Sequence, residues 1–277
     1  MQQRGTGRRM YMKSSWLSQN RRFGIIKKYY SHRALPLHPT TREKRAKKQN
    51  VTKETQAAVN RHLRAEKLSS LIIDNFETGD LYITLTCRAF MDAETITKAF
   101  NDGFKRRIRD IYKKAGVPAK YISVLENLNG GGRPHAHILL PNVPMKWIEK
   151  IKAAWPHGNV EIKLFGGHLR DAEKMADYFT KEKIADQSGR IQPSRNLVRR
   201  EPKKERVTRA DAYNPELVAP KGYRIIKDLS YRTYTAEVYP VSIAYIESVG
   251  DNRKHEEEHE GVRRLSQRDQ TNAQKLP

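Results

Sequence analysis

The middle of the chain shows two different hydrophobic periods. Residues 81–86 alternate between apolar and polar positions and are rich in β-branched and aromatic types, which favours a strand. From residue 92 to residue 114 apolar side chains recur at helical spacing, with Asp92 at the N-cap position and Gly116 just after the end. The pattern predicts a long helix, and the basic residues expected on its exposed face are Lys105, Arg106, Arg107, Arg109, Lys113 and Lys114.

The same two periods continue beyond this helix. Three short apolar runs predict strands at residues 121–126, 133–140 and 159–165, and helical spacing predicts helices at residues 145–155 and 171–185. A glycine-rich turn at residues 127–132 is expected to join the first two of these strands as an antiparallel hairpin. Because strands and helices are interleaved, we expect an α+β fold, with a central antiparallel sheet of about five strands and helices packed on one side.

The flanking regions have a different composition. A short helix is expected at residues 52–67, and aromatic strand-like runs lie between residues 223 and 246. The predicted division is a basic N-terminal arm, partly helical or disordered, at residues 1–70, the α+β domain at 71–190, a basic linker and β-rich extension at 191–249, and a disordered tail at 250–277.

Charge is the dominant global property of this chain. It has 54 Lys and Arg residues against 31 Asp and Glu, a formal net charge of +23. A surplus of this size is typical of proteins that bind a polyanion, and nucleic acid is the leading candidate. The plainer alternative is a solvated surface with basic tails.

Cysteine content and hydropathy bear on location. Cys87 is the single cysteine of the sequence, so no disulfide can form within the chain, which fits a reducing compartment. No apolar run approaches the roughly 20 residues of a membrane span, and the basic N-terminus lacks the apolar segment of a secretory signal. We therefore expect a cytoplasmic protein without a membrane partner.

Two histidines in one predicted strand are candidate metal ligands. Side chains alternate along a strand, so His135 and His137 point to one face and Ala136 to the other. Glu126 ends the preceding strand near the hairpin position that would face them, and divalent metals accept imidazole and carboxylate ligands together. The alternative is a hydrogen-bonded or surface pair of histidines with no metal.

A tyrosine on the last predicted helix is a candidate nucleophile. Tyr178 lies on the flank of the apolar stripe, and Lys174 and Lys181 neighbour it at i−4 and i+3. Two cations beside a phenol would favour the phenolate and balance the charge of a phosphodiester. The alternative is a half-buried aromatic residue with two solvated lysines.

These features occur in a characteristic order. A strand containing Tyr82–Thr86 comes first, then His135-Ala136-His137, then Tyr178-Phe179-Thr180-Lys181. Over about residues 78–185 the chain resembles the rolling-circle replication initiators of plasmids and phages, in the HUH endonuclease superfamily, where U is a hydrophobic residue and Ala136 occupies that position.

The resemblance implies specific roles. His135 and His137 match the metal-binding histidines, Glu126 a third ligand, Tyr178 the catalytic tyrosine, and Lys181 the lysine one turn on. It also implies an HUH-nuclease, ferredoxin-like sheet over residues 71–190, with Mg²⁺ or Mn²⁺ as cofactor. Members nick one DNA strand at an origin, keep a 5′-phosphotyrosine link and leave a 3′-hydroxyl primer.

The chain departs from some members of this superfamily. Its last predicted helix carries one tyrosine, so the single-tyrosine type is expected. No GxxxxGK[ST] loop is present, so a host helicase would have to unwind the DNA and a host polymerase extend the primer, as expected of an element carried by bacteria. The side chains that we expect to contact single-stranded or hairpin DNA are Lys174, Arg133, Arg106 and Arg107.

Two other functions fit the same residues. A single-tyrosine transposase keeps this order of motifs, whereas relaxases often place the tyrosine before the histidines, and here Tyr178 follows them. The alternative of another class is a basic nucleic-acid-binding protein without catalysis.

Overall fold

The computed structural model describes residues 10–31, 54–128, 133–181, 191–235 and 238–250. Its contacts divide the chain into two units, residues 44–200 and residues 1–43 together with 201–277. Each unit is built on an antiparallel sheet, one of five strands and one of six within the described ranges. The prediction of an α+β fold with an antiparallel sheet is confirmed.

The elements are numbered in chain order. The strands are β1 (Met10–Leu17), β2 (Phe23–Ser31), β3 (Leu81–Thr86), β4 (Ile122–Glu126), β5 (His135–Leu140), β6 (Val160–Leu164), β7 (Gln192–Pro193), β8 (Lys203–Val207), β9 (Tyr223–Ile225), β10 (Tyr231–Tyr234) and β11 (Pro240–Ser248). The helices are α1 (Glu54–Asn75), α2 (Ala93–Lys98), α3 (Lys105–Ala115), α4 (Ile148–Ala153), α5 (Leu169–Thr180) and α6 (Arg209–Tyr213), with a π-helical turn at Ala99–Phe104 and a 3₁₀ turn at Met145–Trp147.

The five-stranded sheet has the order β6-β3-β5-β4-β7. Its β4–β5 pair is the predicted antiparallel hairpin, and it places Glu126 opposite His135. On the other side of β5, Thr86 at the end of β3 also pairs with His135. The glycine-rich part of the connecting turn, residues 129–132, lies outside the described residues. One end of this sheet therefore gathers the C-terminal ends of β3 and β4 and the start of β5.

One face of this sheet packs on the helical run from α2 through the π turn to α3. Ile83, Ile138 and Leu125 meet the buried Phe104 and Ile108 in a continuous apolar core, which is the packing that the helical period predicts. Asp92 caps the run by accepting a hydrogen bond from the Thr95 amide, at 2.7 Å.

The exposed position predicted for Lys105 is wrong. A π turn contains one more residue than an α-helical turn, so it rotates the following residues around the helix. Lys105 follows this turn directly and is only 5% exposed. Its ammonium donates to Asn101 Oδ1 and Gln192 Oε1, and it lies 4.6 Å from the Phe100 ring centroid.

Helices cover the second face of the sheet as well, so the expectation of helices on one side is wrong. Helix α5 lies over Tyr82 and His137, with Phe179 6.4 Å and 6.3 Å from their ring centroids, and α1 packs against α5. The sequence contains the reason, because β4 and most of β5 are apolar at successive positions and are buried on both faces.

The expectation of an N-terminal arm is wrong for residues 10–31. These residues form β1 and β2, which pair with each other and with β8 and β11 in a six-stranded sheet of order β10-β11-β2-β1-β8, to which β9 adds at β11. Met12, Trp16 and Ile25 are buried there, while basic residues such as Lys13 and Lys28 take half-exposed positions. Residues 203–207 of the expected linker are strand β8.

Several boundaries differ from the sequence patterns. The helix expected at residues 52–67 extends to Asn75, since Ile72 and Ile73 continue its buried face. The helix expected at 171–185 begins at Leu169 and ends at Thr180, and residues 182–185 fall outside the described ranges, as does the predicted tail from residue 251 onward. None of the helices in the described ranges combines the length and apolar character needed to span a bilayer.

Candidate active site

Glu126, His135 and His137 meet on the face of the five-stranded sheet that α5 covers. The hairpin register sets Glu126 opposite His135 and Val124 opposite His137, so the three polar side chains alternate onto the same face. Each contributes one ligand atom, and these atoms lie within 4.8 Å of one another. Glu126 and His137 are buried, and His135 is half-buried.

The atoms of this group are arranged as a donor set for a divalent cation. His135 Nε2 lies 2.8 Å from Glu126 Oε2, and His137 Nε2 lies 3.5 Å from Glu126 Oε1. The two imidazole planes are nearly perpendicular, at 85°. Glu126 Oε1 is fully buried and accepts no hydrogen bond. A buried carboxylate oxygen without a donor, beside two Nε2 atoms, fits a cation bound by two nitrogens and one carboxylate.

Hydrogen bonds at the two Nδ1 atoms orient the imidazoles. His135 Nδ1 lies 3.0 Å from the Arg133 carbonyl oxygen, which also accepts a hydrogen bond from Asn127 Nδ2. His137 Nδ1 lies 2.9 Å from Tyr82 Oη and 3.1 Å from Thr84 Oγ1. A neutral imidazole that donates its Nδ1 proton to such an oxygen presents the Nε2 lone pair to the Glu126 side.

Tyr178 is held against this group by the buried side of α5. Ala172, Ala176 and Phe179 anchor the helix, and Tyr178 on its flank donates a hydrogen bond from Oη to Glu126 Oε2 at 2.9 Å. The same Oη lies 3.5 Å from His137 Nε2. The structure thus brings a hydroxyl nucleophile into direct contact with the Glu–His–His group.

The two predicted lysines are placed differently around Tyr178. Lys181 is the first residue after α5, and its Nζ lies 5.4 Å from the centroid of the Tyr178 ring. Lys174 is exposed on α5, one turn before Tyr178. Lys181 is therefore the lysine that the structure sets against the tyrosine ring.

Electrostatics link the tyrosine to the carboxylate. Burial, then the hydrogen bond to Glu126 and its charge, raise the pKa of Tyr178 to about 12. The prediction that the lysines favour the phenolate is therefore not what this arrangement shows. Burial opposes ionisation of Glu126, but hydrogen bonds from His135, His137 and Tyr178 outweigh it and lower its pKa to about 2. The hydrogen bond with Glu126 raises the pKa of His135.

The four predicted DNA-contacting residues do not lie together. Arg133 is exposed two residues before His135, and Lys174 is exposed on α5, so both belong to the surroundings of the site. Arg106 and Arg107 lie on α3, which packs on the opposite face of the sheet, and Arg107 Nη1 donates to the Ala154 carbonyl at 3.0 Å. The structure does not bring these two arginines to the Glu–His–His group.

The sequence analysis missed the residues that orient the histidines. Tyr82 and Thr84 share one face of β3, and pairing sets Thr84 directly opposite His137. The alternation within residues 81–86 contained this signal, but it becomes informative only once β3 is known to pair with the histidine strand. Asn127 has a positive φ of 58°, a conformation that asparagine adopts more readily than most residues.

The fold and the site define an α+β domain that joins a metal-binding group to a tyrosine. Residues 80–183 match the family model of the replication-associated protein ORF2, a stretch that contains Glu126, both histidines, Tyr178 and Lys181. This match supports a replication initiator. Neither the curated proteins nor the solved structures compared with the chain gave a match.

Proposed function

We propose that this protein is a metal-dependent endonuclease that nicks a single DNA strand at a replication origin and starts rolling-circle replication through Tyr178. One observation carries the proposal: the Tyr178 hydroxyl is 2.9 Å from the carboxylate of a Glu–His–His donor set. The match of residues 80–183 to replication-associated proteins supports DNA as the substrate. The net charge of +23 suits a polyanion.

The cofactor proposed for this site is Mg²⁺ or Mn²⁺. His135, His137 and Glu126 would hold it, and the oxygens at each Nδ1 keep the two imidazoles in place. When bound, a divalent cation polarises a phosphodiester and stabilises the charge that develops on it. Nitrogen and oxygen ligands together suit Mn²⁺ well, while Mg²⁺ prefers oxygen.

Tyr178 is the proposed nucleophile. Its Oη forms a bond to the phosphorus of the scissile phosphodiester while the bond from phosphorus to the 3′ oxygen breaks. The phenol proton has Glu126 Oε2 as its acceptor in this structure, and the departing 3′ oxygen takes up a proton to become a hydroxyl. One ester replaces another, so the covalent 5′-phosphotyrosine can later be attacked by a 3′-hydroxyl and the strand rejoined.

Lys181 is proposed as the charge-balancing residue. Its ammonium over the Tyr178 ring places a positive charge beside the oxygen that becomes negative as the proton leaves. α5 carries one tyrosine, Tyr178, so a second strand transfer needs another protomer or a different nucleophile. Host helicase and polymerase are the proposed partners for unwinding and extension.

The test is covalent capture of DNA. The protein is incubated with a single-stranded library containing a randomised segment, with Mn²⁺ or with EDTA, and adducts that survive denaturing electrophoresis are recovered and sequenced. Wild type should give an adduct in Mn²⁺ alone, and Tyr178→Phe should give none. Tyr121→Phe, which removes a phenol hydroxyl at the far end of β4, is the matched control and should keep the adduct.

Two results would overturn parts of this proposal. An adduct formed by Tyr178→Phe would show that the nucleophile lies elsewhere. Tight binding of the library by wild type without any adduct would favour a nucleic-acid-binding protein without catalysis.

A further inference from the structure

The proposed chemistry does not account for an exposed aromatic ring on the loop after β3. Phe90 is 75% exposed, and it is the one exposed phenylalanine, tyrosine or tryptophan among the large apolar side chains that protrude from the described part of residues 44–200. An aromatic ring that protrudes so far gains nothing from core packing, so it is a candidate contact for a ligand.

The backbone places this loop at the end of the sheet where the Glu–His–His group lies. Thr86, the last residue of β3, pairs with His135, and Phe90 follows four residues later. Four residues of fully extended chain span at most about 14 Å. Phe90 is therefore within a few nucleotides' reach of the candidate metal ligands.

A neighbouring turn holds the loop in this position. The Thr86 and Arg88 amides donate to the carbonyls of Asn159 and His157, at 3.0 Å and 2.8 Å. Gly158 makes this close approach feasible, because a Cβ there would lie 1.9 Å from the Thr86 carbonyl oxygen. The loop base is thus fixed to the sheet, and Phe90 extends from it.

The polar side chains around Phe90 suit a nucleic acid strand. Arg88 precedes it by two residues and is exposed, and Arg133 and His157 are exposed on the two other chain segments at the same sheet end. Cations beside an aromatic ring are the combination that single-strand binding sites use, the ring stacking on a base and the cations contacting phosphates.

We propose that Phe90 is a stacking platform for an unpaired base of the DNA strand at the active site, with Arg88 on an adjacent phosphate. The proposal rests on the proposed function, since it takes single-stranded DNA as the substrate. A single ring flanked by cations favours a base over a protein partner, because protein interfaces bury larger apolar patches. Bases inside a duplex are already stacked on each other, so the platform is specific for single strands.

The first test measures affinity in a Tyr178→Phe background, where no cleavage occurs. The probe is fluorescein-labelled dT20, with a 20-base-pair duplex as the comparison. Phe90→Ala should weaken dT20 binding about 5- to 100-fold and leave duplex binding unchanged, while Phe90→Trp should retain the affinity. Met145→Ala is the matched control, because Met145 is 82% exposed near the opposite end of the same sheet, and it should change neither.

The second test detects stacking itself. Indole fluorescence of Phe90→Trp, in the same background, should be quenched by dT20 and not by the duplex, whereas Met145→Trp should respond to neither. Unchanged dT20 affinity in Phe90→Ala, equal losses for dT20 and the duplex, or equal quenching at both tryptophans would each overturn the proposal. The first of these results would leave a protein contact as the role of the loop.

These measurements fail independently of the proposed function. Loss of covalent capture in the wild type with intact quenching at Phe90→Trp would refute nicking and retain the platform. Covalent capture with no effect of Phe90→Ala on dT20 binding would refute the platform and retain nicking.

Discussion

The two units of the chain have similar charge but very different chemistry. Residues 44–200 contain 30 Lys and Arg against 17 Asp and Glu, a net charge of +13, and the remaining residues contain 24 against 14, a net charge of +10. Among the described residues, a group of His, Cys, Asp or Glu that can hold a metal ion is found only at Glu126, His135 and His137. Charge for phosphates is therefore distributed along the chain, while the reactive group is confined to one sheet.

Aromatic residues make the same contrast within the two sheets. In the six-stranded sheet Tyr30 stacks on Tyr239 at 3.7 Å and meets Tyr11 at 5.3 Å, so these rings pack on one another. In the five-stranded sheet Tyr82 and Tyr178 direct their hydroxyls at His137 and Glu126. The same residue type is structural in one unit and part of a site in the other, because only the second sheet sets tyrosines beside titratable ligands.

The largest expected effect comes from removing a ligand of the reactive group. His137→Ala should reduce nicking by at least about 10²–10³-fold, since it removes a group needed to stabilise charge in the transition state. Duplex affinity should stay nearly constant because phosphate contacts dominate it. Nicking assays, Mn²⁺ titration and duplex binding check this, with His62→Ala on α1 as the control. Equal losses of binding and cleavage would mean that His137 is structural.

A smaller effect is expected from the hydroxyl that orients His137. Tyr82→Phe keeps the ring against Phe179 but removes the 2.9 Å contact to His137 Nδ1, so we expect about 10- to 100-fold weaker Mn²⁺ affinity or nicking. Tyr112→Phe removes an equally buried hydroxyl, which donates to the Pro141 carbonyl, and should lower stability by about 1 kcal/mol without changing Mn²⁺ affinity. The same Mn²⁺ affinity in both variants would assign Tyr82 a packing role.

Charge outside the nuclease unit should affect affinity and not chemistry. Lys203, Lys204 and Arg206 are exposed on β8, at the edge of the six-stranded sheet. Changing all three to Gln should lower duplex affinity and reduce the salt slope by about one for each phosphate that is no longer neutralised, while single-turnover nicking at saturation stays constant. Neutralising Lys113 and Lys114 on α3 is the comparison. An unchanged salt slope in the β8 variant would confine phosphate binding to other surfaces.

The smallest effect concerns stability. Burial, then the charge of Arg109, lower the pKa of Lys105 from 10.5 to about 8. The folded state then binds fewer protons than the unfolded state between these values, so the free energy of unfolding should rise with pH. From pH 8 to 9.5 this contribution amounts to about 1.5 kcal/mol. Urea unfolding of wild type and Lys105→Met checks it, and equal pH dependence in both would contradict a buried, charged lysine.

The contrast between the units also explains what the sequence predicted. β3 to β6 and their helices follow from local periods, and the hairpin brings Glu126 to His135 by connectivity alone. The pairing of β2 with β11 sets Ile25 opposite Tyr245, across more than two hundred residues, and local patterns do not encode such a partner. The basic pairs at residues 21–22 and 27–28 concealed the apolar alternation of these strands.

Details of the site depended on tertiary structure in the same way. The raised pKa of Tyr178 comes from burial and from Glu126, which is 52 residues away in sequence. Spacing on α5 showed only the neighbouring lysines and therefore suggested the opposite shift. The inward position of Lys105 depends on a π turn that the helical period did not reveal.

The central claim is that Tyr178 forms the covalent bond to DNA. The direct measurement is mass spectrometry of the captured adduct after digestion with nuclease and trypsin. Cleavage after Lys174 and Lys181 releases residues 175–181, which contain a single tyrosine, Tyr178. The account predicts a nucleotide mass on the Tyr178 side chain of this peptide. An unmodified 175–181 peptide, with the nucleotide on another residue, would contradict it.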